Sequence, residues 1–381
     1  MSAANGLILA KMTCDTVATR KPEINPKMKW EYEDGVVLEG FFQLYKQTGE
    51  KQYLNYVKYN LDLFVDGTGN IPKYSLSEFN IDHINNGKVL IDLYEETKDE
   101  RYKKAVDLLR SQLDQHPRTS EGSFWHKYIY PYQVWLDGLY MGSVFYAKYA
   151  HIFGNIEDLD DVLQQFVLCE KNLRDQDSGL LYHAWDEKKV QPWCDKNTGL
   201  SPNFWGRSMG WFVMALVDVI EYFPQSHPGR ETLIQIYNRA ISALMKVQDE
   251  KTGLWYQVLD QGEKPGNYLE ASASSMIVYA IQKGRRHGYL NTDGQYDRSQ
   301  FVYSKLVESF ITITKENLVN VNKICYVGGL GGVDQRDGSY AYYISEPIVA
   351  NDHKGVGPFI LASVEMARVG VASEAQTIKL M

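Results

Sequence analysis

A carboxylate among aromatic and apolar residues is the first candidate for chemistry in this chain. Asp137 lies between Trp135 and Tyr140, in a segment of residues 128–141 that is rich in such side chains. Because these neighbours remove water, we expect them to disfavour the charged carboxylate and to raise its pKa. An acid tuned in this way can deliver a proton near neutral pH. The competing interpretation is a helix N-cap or a buried structural carboxylate paired with backbone groups.

Three further side chains with useful chemistry lie upstream of Asp137. Asp82 is a second carboxylate at the start of a predicted helix, where its charge would also favour the helix dipole. His126 and Lys127 come shortly before the Asp137 segment. A lysine could bind a substrate carboxylate, and a histidine could orient a sugar hydroxyl or polarise a water. An exposed loop pair is the alternative for these two residues.

An arginine lies between two tryptophans further along the chain. Arg207 is flanked by Trp205 and Trp211. Its guanidinium offers planar, two-pronged recognition of a carboxylate, and the indole rings offer stacking faces. The alternative is a buried arginine ion pair in a helix that packs through small residues, since the intervening positions include Gly206, Ser208 and Gly210.

A glycine run at residues 328–332 precedes the motif of residues 337–340, Asp-Gly-Ser-Tyr. The run lacks the strand before it and the helix after it that a dinucleotide fingerprint requires. A close-fitting substrate loop and a plain surface loop both remain open. Phosphate-binding loops and HExxH zinc motifs are also absent from the sequence. Acid and base chemistry by carboxylates beside aromatic faces remains, which suits a carbohydrate substrate.

The elements that must position these residues repeat along the chain. Residues 44–48 recur as residues 93–97, each copy reading as a helix end followed by a short polar turn and a second helix. A repeat of about 50 residues, each one a helical hairpin, is typical of a solenoid or a closed ring. A second repeat, at Gly122, Gly179 and Gly253, marks loops followed by helices predicted near Pro131, Asn203 and Asn267. Long alternating runs are scarce, so the sequence predicts an all-α fold.

Composition excludes several partners. The net charge is -8 and no basic run occurs, which argues against nucleic acid and against an anionic membrane as partners. The four cysteines form no CxxC pair, so a zinc site is unsupported, and no apolar run reaches membrane-spanning length. We expect a cytoplasmic protein, with a periplasmic location as the alternative if a signal peptide has been removed. The sequence predicts nothing about the oligomeric state.

Three ordered motifs resemble one known family over residues 30–367. Residues 135–141, 205–211 and 337–340 are similar to those of the unsaturated rhamnogalacturonyl hydrolases, glycoside hydrolase family 105. The unsaturated glucuronyl hydrolases of family 88 are a more distant resemblance. The resemblance implies an (α/α)6 barrel of six helical hairpins and neither a metal nor an organic cofactor. It therefore predicts one catalytic domain over 1–381, with an N-terminal extension over 1–28.

The resemblance also implies roles for individual residues. Asp137 would protonate C4 of a 4,5-unsaturated uronic acid and then deprotonate the water that adds at C5. Asp82 would be the second catalytic carboxylate. Substrate-binding roles would fall on seven side chains: Tyr32, His126, Lys127, His183, Trp205, Arg207 and Trp211.

The predicted function is hydrolysis of a lyase-generated oligosaccharide that carries this unsaturated sugar at its non-reducing end. Rhamnose is the expected neighbouring sugar, in fragments of rhamnogalacturonan from pectin or of ulvan. One alternative is a conventional inverting glycosidase that uses Asp82 and Asp137 as its acid and base. Another is a helical protein that binds carbohydrate without turnover.

Overall fold

Helices dominate the computed structural model, which describes residues 3–290 and 298–379. The helices are α1 (Ala3–Arg20), α2 (Tyr32–Thr48), α3 (Lys51–Asp62), α4 (Gly87–Thr97), α5 (Glu100–Gln115), α6 (Leu136–Gly138), α7 (Val144–Phe153), α8 (Asp158–Leu173), α9 (Gly206–Tyr222), α10 (Gly229–Lys246), α11 (Ala271–Arg286), α12 (Ser299–Phe310), α13 (Tyr340–Ser345) and α14 (His353–Lys379). A π-helical turn, Leu139–Ser143, joins α6 to α7. We refer to this continuous stretch as the α6–α7 segment.

Six of these helical stretches form an inner ring within the described residues. The ring runs through α2, α4, the α6–α7 segment, α9, α11 and α14, each in contact with the next, and α14 returns to contact α2. Burial agrees with this position, since every residue of α9 from Gly206 to Ile220 and every residue of α11 from Ala271 to Gly284 is buried. A helix that is covered on all sides lies inside a protein rather than at its surface.

An outer helix packs on each inner helix. The pairs are α2 with α3, α4 with α5, α7 with α8, α9 with α10, α11 with α12, and α14 with α1. Outer helices bury one face, as α10 does with Leu233, Ile236, Tyr237, Ala240, Ile241 and Leu244. That spacing follows the helical period. The predicted all-α barrel of six helical pairs is therefore confirmed for the described part of the chain.

The sixth pair joins the two ends of the described chain. Leu9, Cys14 and Val17 of α1 are buried in the same hydrophobic core as the rest of the barrel. The expectation of an N-terminal extension over 1–28 is corrected here, because α1 is the outer partner of α14 and covers its apolar face. A hairpin repeat read along the sequence cannot reveal this pair, whose two helices are separated by almost the whole chain.

The 49-residue repeat corresponds to two turns with the same hydrogen bonds. The Thr48 hydroxyl donates to the Leu44 carbonyl at 2.9 Å and accepts the Glu50 N–H at 3.2 Å. Thr97 makes both bonds in the second copy, at 2.6 and 3.2 Å. These bonds satisfy a carbonyl at the end of the inner helix and an amide ahead of the outer helix. The repeated residues therefore specify the turn of a hairpin.

Three two-stranded antiparallel sheets lie in the loops: β1 (Gln133–Trp135) with β2 (Ala184–Asp186), β3 (Ile311–Ile313) with β4 (Val319–Val321), and β5 (Ile324–Cys325) with β6 (Ile348–Val349). Strand β1 and the single bridges of Trp205 with Val258 and of Tyr256 with Leu269 occupy positions close to the predicted helix starts. The helices α6, α9 and α11 consequently begin a few residues later than predicted. Among the described helices, none has both the length and the apolar character that crossing a bilayer would need.

Candidate active site

The β1–β2 pair positions Asp137 at the start of an inner helix. Trp135 pairs with Ala184, and the Leu136 N–H donates to the His183 carbonyl at 3.1 Å. Asp137 follows in the first turn of α6, immediately before the π-helical turn. Such turns frequently occur at functional sites, because they disturb the regular helix and redirect side chains. The short sheet thus brings Asp137 and His183 together.

The side chains of His183 and Asp137 face each other. The His183 Nε2 lies 3.3 Å from Asp137 Oδ2, and the imidazole is fully buried. Within the described residues neither of these two atoms has a hydrogen bond of good geometry. The other ring nitrogen, Nδ1, lies 2.7 Å from the Tyr343 hydroxyl. When that hydroxyl donates to Nδ1, the ring proton is on Nε2 and faces the carboxylate.

A second set of contacts holds Asp82. The Asn80 side chain accepts the Asp82 N–H at 3.1 Å, and the Ile81 N–H donates to the His126 carbonyl at 3.1 Å. These bonds place Asp82 beside the loop that carries His126 and Lys127. Lys127 Nζ then lies 2.8 Å from Asp82 Oδ2, and His126 Nε2 lies 3.6 Å from Asp82 Oδ1.

The charges of this set follow from burial and pairing. Burial alone would raise the pKa of Asp82, but the charge and hydrogen bond of Lys127, together with His126 and His83, hold that pKa below its ordinary value. Burial would lower the pKa of Lys127, but Asp82 raises it above its ordinary value. Burial lowers the pKa of His126 to about 4, so this imidazole is neutral at pH 7. Asp82 is therefore a stabilised anion paired with one cation.

Arg207 contacts backbone oxygens. Its Nη1 donates to the Cys325 carbonyl at 2.5 Å, and its Nη2 lies 3.4 Å from the Tyr326 carbonyl. The guanidinium also lies over the Trp205 ring, with Cζ 4.7 Å from the centroid. Instead of the buried ion pair weighed as an alternative, the described contacts join α9 to the end of β5 and to the residue that follows it. The residue is nevertheless part of the cavity wall described below.

Trp205 and Trp211 have different positions. The Trp205 ring lies in the cavity wall, and its Nε1 donates to the Gln257 side chain at 3.1 Å. Trp211 is fully buried, in edge contact with Tyr32 and stacked on Tyr140. In this structure Trp211 therefore supports Tyr32 from behind, and direct contact with a substrate remains a prediction for it.

A cavity of about 170 Å³ collects most of the predicted residues. It is lined by Tyr32, Asp82, His126, Lys127, Asp137, Trp205 and Arg207, together with Tyr130, Trp135, Met141, Val327, Gly328, Gly329 and Arg336. His183 lies directly behind Asp137 and outside this set. Arg336 is not among the residues predicted from the sequence, although it lies just after the glycine run of residues 328–332. Among the described residues, no three His, Cys, Asp or Glu side chains converge as a metal site would need.

A larger cavity of about 540 Å³ lies among residues of the inner helix α11 and the outer helices α10 and α12. The described residues that line it include neither a carboxylate nor a histidine, and Arg298 on its rim borders the undescribed residues 291–297. The groups capable of acid and base chemistry are instead gathered in the smaller cavity, which we take as the candidate active site.

Comparison with known proteins shows which family the chain resembles. A family model described as Glycosyl Hydrolase Family 88 matches residues 8–370. A solved structure of a family 105 glycoside hydrolase from C. acetobutylicum ATCC 824 is 54% identical, with a TM-score of 0.91, and the match covers 94% of this chain and 98% of that one.

Two bacterial hydrolases are similar to part of the chain. The unsaturated rhamnogalacturonyl hydrolase YesR of Bacillus subtilis is 30% identical over 259 residues, 66% of this chain and 70% of the relative. The unsaturated 3S-rhamnoglycuronyl hydrolase of Alteromonas sp. is 25% identical over 186 residues, 49% of this chain and 43% of the relative. The expected resemblance is confirmed: the chain is a glycoside hydrolase that belongs to Glycosyl Hydrolase Family 88 and is similar to the enzymes of family 105.

Proposed function

We propose that this enzyme removes a 4,5-unsaturated uronic acid from the non-reducing end of an oligosaccharide by hydrating the C4=C5 double bond. The proposal rests on the ion pair between Asp82 and Lys127. Its contact with Lys127 at 2.8 Å keeps Asp82 ionised, which makes it a poor proton donor. Asp137 is then the one carboxyl group in the cavity wall without a cationic partner among the described residues.

A single carboxyl group suffices for the hydration. Asp137 donates its proton to C4, and positive charge develops at C5. The resulting carboxylate takes a proton from a water whose oxygen adds to C5, which restores the acid. The hemiketal formed at C5 then opens, and the neighbouring sugar leaves with a proton. A conventional inverting glycosidase would instead need a second carboxyl group as base or acid.

Charge in the cavity agrees with an anionic sugar. Three cations line it, namely Lys127, Arg207 and Arg336, against the carboxyl groups of Asp82 and Asp137. Because His126 is neutral at pH 7, it adds no charge. The excess of positive charge suits the single carboxylate of a uronic acid. Trp205 and Tyr130 supply aromatic faces for the ring.

We infer that the neighbouring sugar is rhamnose. The names of the relatives from Bacillus subtilis and Alteromonas sp. both join an unsaturated uronic acid to a rhamnose-containing unit. Fragments of rhamnogalacturonan and of ulvan are therefore the first substrates to test.

The decisive experiment follows the absorbance of the conjugated double bond. Oligosaccharides made by lyases from pectin, ulvan and glycosaminoglycans are incubated with the wild-type enzyme, with Asp137→Asn, and with the matched control Asp177→Asn, an exposed loop aspartate. Wild type and control should remove the absorbance, and Asp137→Asn should lose about 10²-fold to 10⁴-fold in rate. An active Asp137→Asn enzyme would contradict the mechanism.

Isotope labelling distinguishes the proposed hydration from the reaction of a conventional inverting glycosidase. In water enriched in ¹⁸O, hydration places the label on C5 of the released sugar, whereas an inverting glycosidase places it on C1. Binding without any turnover would instead support the carbohydrate-binding alternative.

A further inference from the structure

Asp82 and Asp137 belong to different segments of the chain, and the residues next to them in sequence contact each other. Ile81 begins the 3₁₀ turn Ile81–Ile84, which carries Asp82, and Gly138 follows Asp137 in α6. The Ile81 side chain is buried, with 3% of its surface exposed, and it lies against the α6–α7 segment. The two segments therefore meet one residue away from each carboxylate.

Two glycines of the α6–α7 segment form a notch that receives Ile81, and we call Gly138 and Gly142 the glycine notch. A Cβ added at Gly142 would lie 2.7 Å from Ile81 Cδ1 and 2.8 Å from its Cγ1. One added at Gly138 would lie 3.4 Å from Ile81 Cγ2 and 3.3 Å from His126 Nδ1. Neither glycine has a positive φ. Both positions therefore require the close approach that glycine allows, rather than an unusual backbone conformation.

The turn that carries Asp82 is tied to the loop of His126 and Lys127. The Ile81 N–H donates to the His126 carbonyl at 3.1 Å, and Lys127 Nζ lies 2.8 Å from Asp82 Oδ2. These contacts fix Asp82, His126 and Lys127 relative to one another. The side chain of Ile81 adds a packing contact between this group and the segment that carries Asp137.

A packed contact of this kind resists compression. Protein interiors are close-packed, so an inserted methyl group forces side chains or backbone to move. At Gly142 the required movement is about 0.7 Å, the difference between 2.7 Å and an ordinary contact of 3.4 Å. The α6–α7 segment is held between neighbouring inner helices, whereas Ile81 lies in a short turn, so we expect the turn to move. Displacements of about 1 Å in reacting groups can cost about 100-fold in rate.

We propose that Ile81 is a positioning residue that sets the separation between Asp82 and Asp137 by packing into the glycine notch. This inference rests on the proposed function, in which Asp137 transfers the protons and Asp82 faces the same cavity. The described residues that line this cavity do not include Ile81. It acts through the two carboxylates and does not touch the substrate.

A pair of substitutions, made separately and together, tests the proposal. Gly142→Ala inserts a methyl group against Ile81, and we expect kcat on the unsaturated oligosaccharides to fall by about 10-fold to 100-fold. KM should change by less than about threefold, because Lys127 and Asp82 stay together and move as one group. With Ile81→Ala the notch is empty, so adding Gly142→Ala should then cost less than about threefold in kcat. An equal loss in both backgrounds would overturn the proposal, because the methyl group would then act without Ile81.

A second glycine and isoleucine pair separates positioning from packing in general. Gly40 of α2 faces Ile360 of α14, and a Cβ added there would lie 2.9 Å from Ile360 Cγ2 and 3.0 Å from its Cβ. Neither residue is among the described residues that line the active-site cavity. Gly40→Ala should therefore lose stability in urea unfolding, as Gly142→Ala does, and keep its kcat. A fall in kcat of the same size in both variants would assign the effect to the barrel as a whole and overturn the positioning role.

A milder pair of substitutions serves if the added methyl groups prevent folding. Ile81→Val removes Cδ1, the atom nearest to the notch at Gly142, and buried cores usually tolerate such a change. We expect kcat to fall by about threefold in Ile81→Val and to stay unchanged in Ile360→Val. Equal values of kcat in these two variants would contradict the proposal.

Crystal structures separate this proposal from the proposed function. In Gly142→Ala the distance between the Cγ atoms of Asp82 and Asp137 should change by about 0.5–1 Å, and Ile81→Ala in the same protein should return it toward the wild-type value. If wild type consumes no unsaturated oligosaccharide, the proposed function fails, and this distance still tests the notch. A distance that is the same in wild type and Gly142→Ala would show that Ile81 does not set it.

Discussion

His183 presents Nε2 to the Asp137 carboxylate at 3.3 Å while Tyr343 holds the opposite ring nitrogen at 2.7 Å. The three groups come from separate elements, since Asp137 lies in α6, His183 precedes β2 and Tyr343 belongs to α13. His183 and Tyr343 are fully buried, whereas Asp137 keeps 15% of its side chain exposed to the cavity. A proton that leaves Asp137 thus leaves a carboxylate beside a ring whose orientation is already fixed.

The Tyr343 hydroxyl is expected to matter for turnover. In Tyr343→Phe the Nδ1 of His183 loses its partner, so the imidazole proton is no longer directed to Nε2. We predict a fall in kcat of about fivefold to tenfold, as expected for one lost hydrogen bond, together with an altered dependence of kcat on pH. KM should change little, because His183 lies behind the cavity wall.

Tyr303→Phe is the matched control for this change. Tyr303 is also a buried tyrosine with one hydroxyl partner, the Ser363 side chain at 2.8 Å, but it lies in α12. It should lose comparable stability without loss of turnover. If both variants lose kcat equally, the effect belongs to the fold.

The Asp82–Lys127 pair is expected to stabilise the folded protein at neutral pH. Asp82→Asn leaves a mostly buried ammonium without its counter-charge, and we predict a loss of about 3 kcal/mol in the free energy of unfolding. The double variant, Asp82→Asn with Lys127→Met, should lose less stability than the sum of the losses of the two single variants. Urea unfolding of the two single variants and the double variant measures this coupling.

Lowering the pH should remove the stabilisation that the Asp82–Lys127 pair provides. The pKa of Asp82 is lower in the folded state than its ordinary value of 3.8, so the unfolded chain takes up this proton first as the pH falls. The stabilisation is therefore complete above that ordinary value and declines as the pH drops toward the folded pKa. Asp82→Asn should lack this part of the acid dependence. A wild type and variant with parallel curves below pH 4 would contradict the assignment.

The close approach of Gly328 to Trp205 gives a prediction about the cavity shape. An added Cβ would lie 2.3 Å from the Trp205 ring, which cannot withdraw easily because Gln257 and Tyr343 hold it. Gly328→Ala should displace this wall and lower kcat/KM by about tenfold or more, with about 1–3 kcal/mol lost in stability. Gly67→Ala is the control, since a Cβ there meets nothing within 4 Å. Equal activity of the two variants would contradict the assigned wall.

Local patterns in the sequence predicted the hairpins and much of the site. The repeated threonine turns at Thr48 and Thr97 are specified within a few residues, and so is the aromatic setting of Asp137. Contacts between distant segments were not predictable in this way. Tyr343 lies 160 residues from His183, and Arg207 lies 118 residues from the Cys325 carbonyl it contacts. Only the tertiary fold brings such segments together.

The last prediction concerns Lys88, which lines a small cavity separate from the active site, together with Glu39 and Asp218. Its side chain is buried, its Nζ has no hydrogen-bond partner among the described residues, and it lies 3.5 Å from the Tyr140 ring centroid. Burial lowers its pKa from 10.5 to about 8. The unfolded chain therefore takes up this proton at higher pH than the folded protein does. As the pH falls from about 10 to about 8, the folded state loses stability, and below pH 8 the cost, on the order of 3 kcal/mol, persists.

Lys88→Met should consequently stabilise the protein at pH 7, by about 1–3 kcal/mol, because an apolar side chain replaces a charge without a hydrogen-bonded partner. Its advantage over wild type should shrink as the pH rises through 8 toward 10. Lys148→Met is the matched control. Lys148 is equally buried but lies 2.6 Å from Asp92, so its removal leaves a carboxyl group unpaired and should destabilise the fold. Urea unfolding of both variants and wild type at pH 7 and pH 9.5 measures the difference in stability. A Lys88→Met protein that is less stable than wild type at pH 7 would contradict the prediction, because the buried ammonium would then be better compensated than its contacts indicate.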